Sequence, residues 1–299
     1  MQKIFSLILT ASFLSMMACQ PDTGNVASNR VNQNVNLSNS FNSNANSNVS
    51  TTNSNTTISE TKEPEQYQAL VELKLEATAS NDNTAKLPTL SANVARAGAD
   101  RRMEFNLPNG DQVVYLDKAD NTYLLLPKRK QYAVLDKDSV GFEVRQLMMP
   151  AEIVNQVKTV KGVERVGEEN VNGRQVIKYR YGAVTNTNTQ AGQVNTESFF
   201  LIDKETGLPL HSETVSQAQN GDVQGYKGLR VVTEMSNIQT TAAPELFAVP
   251  TDYAKIDSAQ VKAQVELIFN AVGLLLTQAL KSAQSNPNSN ANSNANTAK

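Results

Sequence analysis

The sequence predicts a mainly β protein built on one large antiparallel sheet, with a minor helical component. Three observations lead there: apolar residues recur with period two through most of 66–257, Asn-Gly pairs fall between the alternating runs, and both chain ends are too polar to fold. Residues 25–57 hold twelve Asn and seven Ser with a single charge, Arg30, and residues 285–299 hold six Asn and three Ser. Such stretches bury too little apolar surface to offset their ordering entropy. Setting aside 1–65 and 285–299 leaves 66–284, enough for one sizeable core. The 299-residue chain therefore reads as one domain between disordered ends.

Residues 1–18 have the form of an export signal: Lys3 as a short basic region, an apolar stretch from Ile4 to Leu14, then Met16-Met17-Ala18. The apolar stretch is well short of the roughly 20 residues a spanning helix needs. Cys19 follows at once and is the chain's single cysteine. A small residue directly before a Cys at the end of such a region resembles the bacterial lipobox. That resemblance implies that Cys19 is lipidated and becomes the first mature residue, the covalent lipid being the only attached group expected. Losing Lys3 takes the net charge from −2 to −3, so the membrane is met through acyl chains rather than basic side chains. Residues 19–65 then form a disordered tether reaching roughly 40 Å at about 5–6 Å × √n. Gln20 is not the Asp that, by resemblance to proteobacterial sorting rules, retains lipoproteins in the inner membrane. The expected location is the cell envelope, at the periplasmic face of the outer membrane.

In the folded region Val71, Leu73 and Leu75 alternate with Glu72, Lys74 and Glu76, a strand with one buried and one wet face. Alternation recurs at Met103–Leu107, Val113–Leu116, Tyr123–Leu126, Tyr132–Leu135, Val176–Tyr181, Phe199–Ile202, Leu208–Val215 and Leu229–Met235. Asn109-Gly110, Asn172-Gly173 and Asn220-Gly221 signal tight hairpins, because both positions of a type I′ turn need positive φ. Further hairpins are expected at Asp203–Gly207 and at Gly98. Strands joined this way are antiparallel, which disfavours βαβ folds and their dinucleotide sites. Ser139–Val160 breaks the alternation and reads as two short helices or one kinked helix, with Pro150 opening the second part. From Ser258 to Ser282 the apolar positions Val261, Val265, Ile268, Phe269, Val272, Leu275, Leu276 and Ala279 describe an amphipathic helix over 258–284, with Asp257-Ser258 as its N-cap.

Together with the lipoprotein signal, the run Glu168-Glu169-Asn170-Val171-Asn172-Gly173-Arg174-Gln175-Val176-Ile177-Lys178-Tyr179, the hairpin Leu201–Leu210 and the closing Leu246–Tyr253 make the chain resemble the outer-membrane lipoprotein carrier superfamily over Gln66–Ile256. That superfamily includes the periplasmic lipoprotein carrier, its membrane receptor and mycobacterial lipid-carrying lipoproteins. The resemblance implies an antiparallel, unclosed half-barrel whose concave apolar face is covered by helices and holds acyl chains. The groove would be lined by Val71, Leu73, Leu75, Met103, Phe105 and Leu107. The helix carrying Val265, Ile268, Phe269, Val272, Leu275 and Leu276 has no place in the family outline and is expected to cap the groove. Two functions remain open: binding of a lipid, a lipoprotein or another apolar ligand, or an envelope sensor or scaffold that binds a protein partner with its groove filled by its own helices.

Catalytic signals are missing. His211, the single histidine, alternates onto the face opposite Leu208 and Leu210 and is expected in solvent. Glu168-Glu169 and Asp136-Lys137-Asp138 sit beside turn signals, and Lys128-Arg129-Lys130 reads as a hairpin tip, its sharper reading being contact with anionic headgroups. One Cys and one His exclude a disulfide framework and a zinc finger. The near-neutral charge lacks the basic footprint of nucleic-acid binding. The chain is expected not to be an enzyme.

Overall fold

A computed structural model of the chain describes residues 63–107, 110–119, 121–135, 148–186, 192–222 and 225–261. The strands are β1 (Gln66–Ala79), β2 (Thr84–Lys86), β3 (Leu90–Ala97), β4 (Asp100–Asn106), β5 (Gln112–Asp117), β6 (Thr122–Leu126), β7 (Gln131–Leu135), β8 (Glu164–Val171), β9 (Arg174–Asn186), β10 (Gln193–Asp203), β11 (Pro209–Ala218), β12 (Tyr226–Gln239) and β13 (Ala254–Lys255). Among the described residues, the helix α1 (Pro150–Thr159) lies between β7 and β8, and Pro150 stands in its first turn, where a missing N–H costs nothing. The strands form a single sheet in the order β13-β7-β6-β5-β4-β3-β1-β12-β11-β10-β9-β8, with β2 on β1. It is antiparallel except for β13 on β7, and it does not close into a barrel. Two meanders, β3–β7 and β8–β12, are joined at the centre by the β1–β12 ladder, which runs from Gln68–Gln239 to Ala79–Tyr226.

Turn chemistry sets the registers. Asn172 and Gly173, with φ of 51° and 84°, turn β8 into β9, and Gly98 with φ 61° turns β3 into β4. At the β10–β11 hairpin Gly207 has φ 67°, and the Asp203 carboxylate accepts from the Thr206 amide at 2.8 Å and from its hydroxyl. Arg174 reaches the same carboxylate at 2.7 Å, so this buried acid ties the hairpin to the start of β9. Asn220-Gly221 departs from the sequence expectation. The connection spans 219–225, its positive φ falls on Gly225, and the Asp222 carboxylate accepts from the Gly225 amide, so an Asx-type turn replaces the two-residue hairpin. Between β2 and β3 Pro88 can donate no ladder bond, and the strand is interrupted there.

After β12 the chain changes face. Leu246 and Phe247 pack with Ala95, Leu116 and Tyr123 on the outer face of β3–β6, where Arg102 donates to the Leu246 carbonyl at 3.1 Å and Lys118 to that of Phe247 at 3.1 Å. β13 then covers the exposed edge of β7, and Ile256 and Val261 enter the core on the inner face. A strand edge that could template pairing with another chain is thereby occupied.

Candidate functional site

Cross-strand registers order the inner face into rungs. Ala69, Val94, Met103, Tyr115, Leu124 and Ala133 make one rung across six strands, and Val71, Ala92, Phe105 and Val113 make the next. Leu73 and Leu90 begin a third. All six groove residues expected from the sequence lie here: Val71, Leu73, Met103 and Phe105 are buried, and Leu75 and Leu107 pack against them. Met148, Met149, Met235 and Val261 complete the cluster, so described parts of the chain itself cover this wall. Phe105 and Tyr115 meet edge to face with centroids 6.0 Å apart.

A second apolar cluster lies toward the other edge. Ile153, Val154 and Val157 of α1 rest on Ile177, Tyr179, Tyr181, Phe200 and Ile202. Beside the C-terminal end of α1, a shallow recess, partly open to solvent, is lined by Gln156, Val160, Val163, Tyr181 and Phe200.

Between the clusters the inner face is polar. Thr196, Ser198, Ser216 and Thr233 are buried, the Thr196 and Ser216 hydroxyls lie 3.0 Å apart, and those of Ser198 and Thr214 lie 2.9 Å apart. Sequence reasoning missed this lane because it counted apolar alternation; the signal was there as Ser212, Thr214 and Ser216 at period two. A hydroxyl can donate once and accept twice, so each pair keeps hydrogen-bonding capacity for a third group.

The rung beyond Ala69, at the opposite end of the apolar wall from Leu73, is also polar: Tyr67, Arg96, Arg101 and Asp117. Glu63, Pro64 and Glu65, inside the segment read as tether, are held there. The Glu63 side chain, 9% exposed, takes Tyr67 Oη at 2.7 Å on Oε1, and Arg96 Nη1 at 3.0 Å and Arg101 Nη2 at 2.9 Å on Oε2. Arg96 also donates to the carbonyls of Glu63 and Pro64.

His211 lies on the outer face, as its alternation requires, but not in open solvent. Its side chain is 24% exposed, with Nε2 3.5 Å from Glu213 and Nδ1 3.8 Å from Glu234. The reason is that the outer face of β1, β11 and β12 carries long charged side chains that cover one another. Arg230 bridges Glu213 at 2.6 Å and Glu76 at 3.2 Å, and Lys74 binds Glu234. Lys128–Lys130 do form a hairpin tip, yet Lys130 pairs with Asp252 at 2.9 Å and Lys128 approaches Asp111 at 3.7 Å, which removes the free basic cluster that headgroup contact would need. Glu168 pairs with Arg165 and Lys204, and Glu169 with Lys178. Asp136–Asp138, Cys19 and the cap-helix residues Val265, Ile268, Phe269, Val272, Leu275 and Leu276 lie outside the described residues. The first turn of that helix is described: Asp257 Oδ1 accepts from the Ala259 amide at 2.7 Å, as an N-cap should, and Val261 is buried. Among the described residues no three His, Cys, Asp or Glu side chains are placed to hold a metal, and no helix is long and apolar enough to cross a membrane.

The fold defines the class: a mainly β protein with an open antiparallel sheet and a helix on its inner face. No protein-family model matches the chain, and no curated protein matches it. Solved structures similar to it include an uncharacterized conserved protein from Thermus thermophilus, at 14% identity and TM-score 0.35 over 64% of this chain and 90% of that one. A DUF1329 family protein from Desulfovibrio piger is similar at 15% identity and TM-score 0.31, over 64% and 92% of the two chains. The Mycobacterium tuberculosis lipoprotein LppX is similar at 10% identity and TM-score 0.29, over 62% and 93%.

Proposed function

We propose that this chain is a lipid-anchored envelope protein that binds a lipid or another apolar ligand against the inner face of its open sheet, without catalysis. The supporting observation is the make-up of that face: an apolar wall over β1 and β3–β7, a lane of Ser and Thr hydroxyls on β10–β12, and a second apolar cluster beneath α1. A purely structural core avoids buried hydroxyls, because each needs a partner. A face that meets an amphipathic molecule benefits from a polar strip between two apolar ones. Cys19 supplies the membrane anchor, and the amphipathic sequence that follows Val261 serves as a cover of the wall.

A second reading, an envelope scaffold that binds a protein with its groove permanently filled, is favoured by the burial of Val71 and Met103 beneath Met148, Met149 and Val261. Organic extraction of purified, unlipidated protein followed by mass spectrometry separates the two. Stoichiometric lipid is the expected result; repeated recovery of a lipid-free, fully folded protein that takes up no added lipid would leave the scaffold.

A further inference from the structure

The clasp around Glu63 has the composition of a ligand site. Two guanidiniums and a phenol converge on both oxygens of one carboxylate, at the end of an apolar wall whose three rungs, from Ala69 to Leu73, extend about 13 Å at 3.3 Å per residue. Burial, and then the neighbouring carboxylate, push the Tyr67 phenol well above its ordinary value, so it remains a donor. Arg101 Nε is buried with no hydrogen-bond partner, so the clasp has donor capacity that Glu63 does not use. Glu63 reaches the clasp ahead of β1 rather than from within a strand.

We infer that Tyr67, Arg96 and Arg101 form a carboxylate-binding site at the end of the inner-face wall, that Glu63 occupies it as a built-in stand-in, and that a long-chain fatty acid displaces Glu63 and lays its chain along the Ala69 and Val71 rungs. The inference rests on the proposed binding of an apolar ligand and specifies its headgroup. Charge selects a monoanion. Asp117 stands opposite Arg101 in the β4–β5 register and Glu65 lies 3.4 Å from Arg96, so with Glu63 gone the two arginines still face two acids. An incoming carboxylate restores the original balance, whereas a phosphate dianion would add a charge. Both Arg forks suit a planar carboxylate. Because Glu63 is linked to the site, it competes as an intramolecular ligand of high effective concentration, and this holds the resting affinity for a free fatty acid down.

The test uses the full mature chain carrying Cys19→Ser, so that no acyl anchor competes. In its first arm Glu63→Ala is melted in sodium propionate and in sodium chloride of equal ionic strength. Propionate is expected to raise the melting temperature of Glu63→Ala specifically, and not that of the chain retaining Glu63 or of Glu63→Ala with Arg101→Met; no propionate-specific rise overturns the site. The second arm compares oleate with oleyl alcohol by calorimetry. Glu63→Ala is expected to bind oleate about tenfold more tightly than the parent, 1.4 kcal/mol, with the alcohol unchanged. If the alcohol binds and oleate gains nothing, the headgroup site fails while apolar binding stands. If neither binds, both fail. Should Glu63→Ala not fold, Glu63→Gln, which keeps one accepting oxygen but no charge, is carried through both arms with the same criteria.

Discussion

Replacing Glu213 with Gln tests whether the outer-face network stabilises the sheet or merely decorates it. The Glu213 side chain is 8% exposed, accepts from Arg230 Nε at 2.6 Å and faces His211 Nε2 at 3.5 Å. The hydrogen bond from His211, followed by that from Arg230 and the charges of both, outweighs burial and lowers its carboxyl from 4.5 to about 2. Such a difference corresponds to about 3 kcal/mol. Arg230 is 37% exposed, and solvent around it screens the pair, so about 2 kcal/mol is the expected contribution to stability near neutral pH. The sign follows from linkage. A carboxyl whose folded value lies below its unfolded one contributes fully above about pH 4.5 and loses that contribution as pH falls through about 2. Urea denaturation of the parent and of Glu213→Gln at a series of pH values should therefore show a gap of about 2 kcal/mol at neutral pH that narrows below about pH 4.5. Acids remote from Arg230 and His211 titrate in both proteins and cancel in the difference. A gap that stays constant down to about pH 2.5, or that is absent at neutral pH, would refute the assignment.

Met103→Ala, deep in the wall at 0% exposure, should cost about 3 kcal/mol by denaturant titration, as loss of a buried Met side chain does; a cost below about 1 would mean that the wall is not packed as described. Gly173→Ala places a Cβ at φ 84° with nothing within 4 Å, so its expected cost of about 1–2 kcal/mol is purely conformational, and an unchanged urea midpoint would contradict the turn geometry. Cys19→Ser should move the protein from the detergent phase to the soluble or uncleaved pool in phase partition, whereas a processed Cys19→Ser protein that still partitions with membranes would end the anchor proposal.

What was legible in the sequence was what is local. Val71, Leu73 and Leu75 announce a strand because burial on one face forces period two, and Asn172-Gly173 announces a turn because few other residues tolerate its φ angles. β8 was not read because Glu164–Val171 is mostly exposed and has no apolar side to alternate. The first half of β10, Gln193–Ser198, was not read because two of its three inward positions, Thr196 and Ser198, are hydroxyls, leaving Val194 as the one aliphatic. The β1–β12 ladder joins residues 147 to 171 positions apart, and nothing local encodes that pairing. The Glu63 clasp escaped for the same reason: Arg96 and Arg101 lie 33 and 38 residues along, and Glu63 on its own looks like one more polar residue of the tether.

The segments before β1 and after β12 bear on the inner face in opposite ways. At the N-terminal end a carboxylate enters a rung that would otherwise present two arginines to the groove, and it can leave without disturbing a strand, because it precedes β1. At the C-terminal end the chain is committed in stages: Phe247 is buried on the outer face, β13 pairs with β7 at Gln131 and Tyr132, the Ile256 amide donates to the Tyr132 carbonyl at 2.8 Å, and Val261 is 2% exposed. Releasing Val261 from the core would uncover apolar surface without unpairing β13, since Asp257 caps the helical turn that follows the strand. Releasing Val261 thus costs the burial of one apolar side chain, about 1.5–3 kcal/mol, and leaves the pairing of β13 with β7 in place. That cost is of the size a bound acyl chain can offset, because each methylene it buries returns about 0.8 kcal/mol.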